Sequence, residues 1–173
     1  MKLTLQPHKS SKELENKLEK AGFKVSDYAK ELLTKIKPRK KKEVVELEIK
    51  TSAELGLPNG GTFEQIKAEA EKQGLSLCPP EVGPSLRLES KDQPKGEWLR
   101  IAMEPVAVSG GGLSVFDVAR DAADLWLGTS WFYPRAVFPP GGRWVFVRKY
   151  RDLENRVKVL EEDMAKLNKL INI

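Results

Sequence analysis

The spacing of apolar residues changes along the chain, and each change marks a boundary. Between residues 11 and 36, Leu14, Leu18, Tyr28, Leu32, Leu33 and Ile36 fall at helical spacing, as one buried stripe requires. Ser10 or Ser11 predicts the cap of a first helix reaching about Ala21, with Gly22 as its stop, and Ser26 caps a second. This helical hairpin ends at Pro38. From Glu43 the period becomes two: Val45, Leu47 and Ile49 share one face, and Glu46, Glu48 and Lys50 share the other. That alternation predicts a half-buried strand and the start of the main domain.

Pro58 to Gly61 predicts a turn, and Thr62 with Gln65 predicts a capping box for a helix reaching about Gln73. Phe63, Ile66 and Ala70 would form its buried side. Proline makes residues 75–83 irregular, with Cys78 expected there as a small core residue. Strands are then predicted at Ser85–Glu89, Trp98–Met103, Leu113–Val118, Leu125–Leu127 and Trp144–Arg148. A strand, helices and then several strands predict an α+β domain with a mainly antiparallel sheet. After Lys149, Leu153, Val157, Leu160, Met164, Leu167 and Ile171 form a heptad stripe, either packed on its own domain or joining subunits in a coiled coil. The expected organisation is a basic helical segment and linker over 1–42, a main domain over 43–150 and a C-terminal helix over 151–173.

Charge sharpens the first boundary. The net charge is +5, yet residues 1–51 hold 14 Lys/Arg against 8 Asp/Glu, so the whole excess lies in the N-terminal third. Its densest part, Lys37, Pro38, Arg39, Lys40, Lys41 and Lys42, is read in two ways. One is a solvated connector; the other is a phosphate-binding patch that would make the chain a basic nucleic-acid-binding or regulatory protein.

Candidate chemistry is sparse. One cysteine, Cys78, allows no internal disulfide, and one histidine, His8, leaves little for histidine catalysis or metal binding. Ser109, Gly110, Gly111 and Gly112 lack the Lys-Ser or Lys-Thr of a phosphate loop and predict a hairpin turn. Asp117, Asp121 and Asp124 do not have calcium-loop spacing and are expected as solvated acids around a turn. A non-enzymatic protein with no cofactor and no metal is therefore expected. No apolar run is long enough for a membrane span, and the first residues lack a signal-like stretch, so a cytoplasmic location is expected.

One stretch departs from the rest in composition. From Pro105 to Val147 there is no Lys, Glu, Gln or Met, where about eleven would follow from uniform usage. Glycine-rich turns and apolar strands account for part of the deficit. A coding origin accounts for the pattern: randomising the adenines of AAY codons never yields those four types, nor tryptophan. Tryptophan codons contain no adenine and would persist as scaffold, as Trp126, Trp131 and Trp144 do here.

The segment Leu125 to Arg148, LWLGTSWFYPRAVFPPGGRWVFVR, resembles the variable region of diversity-generating retroelement target proteins. In that family adenine-directed errors diversify the 3′ part of a gene whose product displays the altered residues on a C-type lectin fold. The resemblance implies a C-type lectin-like domain with diversified, ligand-binding positions Gly128, Thr129, Ser130, Phe132, Tyr133, Arg135, Ala136, Phe138, Pro139, Gly141 and Gly142. The scaffold between them would be Trp126, Trp131, Pro134, Arg143 and Trp144. Calcium-dependent sugar binding is not expected, because neither Glu-Pro-Asn nor Trp-Asn-Asp occurs. Phe132, Tyr133, Phe138 and Arg135 beside small residues have the composition of contact surfaces, so all four are expected to face outward. The partner would be an unidentified ligand, most simply a protein, met by several copies joined through residues 151–173.

Overall fold

The computed structural model describes residues 1–133, 135–148 and 150–171, with side chains for all of these except residues 150–156 and 159. In chain order the elements are β1 (Lys2–Leu5), α1 (Ser11–Lys20), β2 (Lys24–Val25), α2 (Asp27–Thr34), β3 (Glu43–Thr51), α3 (Phe63–Lys72), β4 (Leu75–Ser76), α4 (Val82–Glu89), β5 (Trp98–Ile101), β6 (Val106–Ala107), β7 (Leu113–Arg120), β8 (Leu125–Phe132), β9 (Arg143–Arg148) and α5 (Tyr150–Ile171). The fold is α+β. Nine strands among the described residues form one sheet, along the path β1-β3-β9-β5-β7-β8-β2, with β4 beside β9 and β6 beside β7. The sheet is mostly antiparallel, with parallel pairing of β5 to β9 and of β2 to β8.

Local signals produce the helices where they were predicted. Ser10 Oγ accepts from the Glu13 N–H, Ser26 Oγ from the Ala29 N–H, and Thr62 with Gln65 closes a capping box. Leu14, Leu18, Leu32 and Leu33 are buried as the stripe implied. Cys78 is buried in the core, where its Sγ donates to Val145 O at 3.3 Å and burial pushes the thiol pKa up.

Two expectations are corrected. Residues 1–42 are not a separate segment, because β1 pairs with β3, β2 pairs with β8, and Leu3, Leu5 and Leu18 are sealed in the same core as Val145 and Phe146. The basic run is the connector from α2 to β3. Arg39 within it is tied to Glu43 at 2.6 Å and Glu81 at 3.1 Å and bridges to His8, while Lys37, Lys40, Lys41 and Lys42 are exposed. The segment Ser85–Glu89 is helical, lying within α4. Pro84 sits in the first turn, where its missing N–H leaves no bond broken, and Gly83 lies flush against Phe116.

The sheet's two faces carry different cover. Phe116 of β7 turns toward α4, so its neighbours Val115 and Asp117 point to the opposite face. On that opposite face Phe63, the first residue of α3, packs edge-on to Phe132 at 4.7 Å, and Trp144 and Phe138 complete a closed aromatic cluster. From Val157 onward the described side chains of α5 are exposed, including Leu160, Met164 and Leu167 at 56–63%. No helix among the described residues is long and apolar enough to cross a membrane.

Candidate functional site

Strand register builds a groove on the same face, beside the aromatic cluster. Trp98 of β5, Ala119 of β7 and Trp126 of β8 form one rung; Arg100, Asp117 and Gly128 form the next. With a two-residue period, both rungs point the same way. All of these residues except Arg100 line a cavity of about 550 Å³, which wraps past the edge of β8 to Tyr28 of α2 and to Trp131, the latter turned to the other side of the strand by its pairing with Ser114. That volume falls in the range of small-ligand pockets.

Each wall is held by its own device. Trp126 Nε1 donates to Asp121 Oδ2 at 2.8 Å, while Asp121 Oδ1 accepts from the N–H groups of Ala123 and Asp124 and so closes the β7–β8 turn. Trp131 meets Tyr28 edge-on at 5.0 Å and lies against the 108–112 turn. A Cβ on Gly112 would sit 2.5 Å from the Trp131 ring, so the glycine run that joins β6 to β7 makes a seat for an indole. From the other face, the buried Arg87 guanidinium donates to Ala119 O at 3.1 Å and Trp126 O at 3.4 Å, which ties together two residues of one rung. Burial pushes the Arg87 pKa down to about 10, so it remains charged at neutral pH.

Asp117 lies under the floor at 1% exposure. Its Oδ2 accepts from Ser130 Oγ at 2.9 Å, whereas Oδ1 receives no hydrogen bond among the described residues. Burial pushes its pKa up to about 6, and the Ser130 hydroxyl, the Trp98 indole and the Arg100 charge pull it partly back. The expectation of solvated acids is corrected at this residue. Asp117 shares the parity of Val115 and Ala119, and that alternation is the one sequence signal that marked it for burial. No local sequence signal marks Tyr28 or Trp98 as site residues: helical spacing predicts Tyr28 in a helix core, and the pairing that places Trp98 is not local.

The expected site residues divide. Gly128 and Thr129 line the groove. Pro139, Gly141 and the backbone of the buried Gly142 line a second, shallower depression of about 500 Å³ on the other side of Trp98, with Lys95, Arg100 and Arg143. Tyr133 and Arg135 are exposed and Ala136 is half-buried. Four positions do not face outward: Phe132 and Phe138 belong to the aromatic cluster, Ser130 holds Asp117, and Gly142 is buried with its N–H on Pro139 O. The outward expectation for Phe132 and Phe138 is corrected because Phe63 and Trp144 supply an apolar cover that water cannot match. Among the scaffold residues, Trp144 is fully buried, Arg143 is exposed and ion-paired to Glu97 at 2.5 Å, and Trp126 and Trp131 are groove walls. Pro134 lies outside the described residues. No protein-family model, curated protein or solved structure matches the chain.

Proposed function

We propose that this chain is a non-enzymatic ligand-binding protein of the retroelement-diversified type, with a C-type lectin-like domain that presents a variable surface around Trp98. One observation carries the reading. Thr129 from β8 and Pro139 and Gly141 from the following loop line depressions on the two sides of a single exposed tryptophan. The resemblance to a variable region implies those positions, and their convergence is what a contact surface requires. The order strand, helices and then strands over residues 43–148 suits the lectin-like expectation. The buried Phe132, Phe138, Ser130 and Gly142 are withdrawn from the variable set, and so is Gly128, where a Cβ would fall 2.6 Å from Asp117 Oδ1, leaving Thr129, Tyr133, Arg135, Ala136, Pro139 and Gly141.

The exposed stripe of α5 fits self-association, in which several copies would combine weak sites. The test of display is joint randomisation of Thr129, Tyr133, Arg135, Ala136, Pro139 and Gly141. Most library members are expected to keep a cooperative melt, and selection against different target proteins is expected to yield binders with different sequences. Widespread unfolding would replace the display surface with a structural loop. The coding DNA offers a second check: a nearby near-copy carrying adenines at these codons, beside a reverse transcriptase gene, is expected.

A further inference from the structure

We infer that the groove between Trp98, Trp126, Trp131 and Tyr28 receives a cationic side chain, a lysine ammonium or an arginine guanidinium of a protein partner, with Asp117 as its counter-charge. The inference deepens the binding reading above and rests on it for the partner's being a protein. The chemistry of the cavity stands by itself.

Three observations support it. The first is the wall. Trp98 is 52% and Trp131 40% exposed, and with Trp126 and Tyr28 they bring four aromatic side chains around one cavity. Aromatic faces are negative, and an enclosed set of them attracts an organic cation far more than an isolated ring does.

The second is the floor. Asp117 is buried beneath that cavity with one oxygen lacking a donor. A buried carboxylate without a full set of partners is unfavourable in the empty protein and becomes favourable once a cation shares its low-dielectric surroundings. Burial pushes its pKa up to about 6, which leaves it mostly ionised at neutral pH.

The third is that no cation of the chain forms an ion pair with Asp117 among the described residues. Arg100 is the strand neighbour of Asp117 and acts on it through space, but its guanidinium lies 5.6 Å from the Phe138 ring and 5.8 Å from the Trp144 ring, inside the aromatic cluster. Arg120 lies on the cavity lining and donates to Gln93 O at 2.7 Å. Gly128 completes the fit, since a Cβ there would fall 2.6 Å from Asp117 Oδ1 and push the carboxylate out of place. An apolar segment would use the walls and leave Asp117 unanswered. A neutral sugar would stack on the tryptophans but bring no charge to the floor.

The test titrates the full chain at low salt and pH 7.5 with N-acetyl-arginine amide and N-acetyl-lysine amide, read by tryptophan fluorescence and calorimetry. The neutral analogue N-acetyl-citrulline amide and methyl mannoside serve as comparisons. Saturable binding of one or both cations is expected in the millimolar range, with the neutral analogue at least about tenfold weaker. Asp117→Asn is expected to weaken cation binding about tenfold, and Trp98→Leu about fivefold. Trp98 is exposed, so its variant remains informative if Asp117→Asn folds poorly. Absence of saturable binding, equal affinity for citrulline, or preference for the mannoside overturns the inference. Neither variant touches a position randomised in the display test, so cation binding and display fail or survive separately.

Discussion

Two aromatic assemblies lie side by side along the sheet, and they have opposite fates. At one end Phe63, Phe132, Phe138 and Trp144 interlock with ring centroids 4.7–5.7 Å apart and are almost wholly removed from water. A few residues away Tyr28, Trp98, Trp126 and Trp131 surround a cavity that stays open. Composition does not separate them. Cover does: α3 begins at Phe63 and the 138–142 loop folds back over Trp144, whereas nothing in the described chain closes over Ala119 and Gly128. Polar content differs in kind, since the closed cluster holds the Arg100 guanidinium beside Phe138 and Trp144 and the open groove has a carboxylate beneath it. Burial of rings stabilises the fold in the first place; rings left exposed beside a charge make a site for another molecule in the second.

The largest effect that can break this comparison is truncation of the closed cluster. Phe132→Ala and Phe138→Ala are each expected to cost about 3–5 kcal/mol in denaturant melts, while Trp98→Ala changes stability by less than about 1 kcal/mol. Equal costs would erase the distinction between core and groove. Next in size is Asp117→Asn, expected to stabilise the protein at pH 7.5 by on the order of 2–3 kcal/mol. The sign follows from a folded pKa raised from 3.8 to about 6. The native state binds more protons than the unfolded chain between those values, so stability should fall as pH rises from about 4 through 6 and then level off. Melts of the wild type across that window should show this descent, and the asparagine variant should lack it.

Gly112→Ala comes third, at about 1–3 kcal/mol, because the new methyl meets the Trp131 ring. Its effect should appear in groove ligand binding as well as in the melt. Leu160→Lys with Leu167→Lys is expected to leave the melt within about 0.5 kcal/mol, since both side chains are exposed. It should abolish any self-association measured by sedimentation. The smallest change expected is replacement of Lys37, Lys40, Lys41 and Lys42 by Ser, again within about 0.5 kcal/mol of wild type. It should leave cation binding in the groove unaltered. If the main affinity of the chain were for nucleic acid, this variant would instead remove a steep salt dependence of DNA or RNA binding.

How much could be foreseen depended on the range of the interaction involved. The three helix caps at Ser10, Ser26 and Thr62 bond to an N–H three residues ahead, so short windows of sequence suffice to find them. The alternation of Val45, Leu47 and Ile49 likewise identified β3 from one segment. The strand expected at Ser85–Glu89 failed because Leu86 and Leu88 alternate over too few residues to separate strand from helix. Contact of Gly83 with Phe116, more than thirty positions away, marks the surface that α4 packs on. The four residues of β1 offered almost no pattern, and their register with β3 spans some forty residues.

The variable-region candidates illustrate the same limit. Resemblance to a variable region marks a stretch of sequence, and it includes Phe132 with Tyr133 and Phe138 with Pro139 alike. Strand direction then turned Phe132 inward and left Tyr133 outside, a choice made by pairing Leu113 with Phe132.

Sequence alone therefore determined the capped helices α1, α2 and α3, the α+β class, the heptad stripe and the stretch in which unusual residue usage concentrates, because each is written in neighbours along the chain. Tertiary structure alone decided which aromatic rings are sealed, that residues 1–42 join the sheet, and that Asp117 is buried beside four aromatic side chains with one carboxylate oxygen lacking a hydrogen bond among the described residues. Those outcomes depend on register between strands distant in sequence, and register is set by the cooperative burial of the whole face.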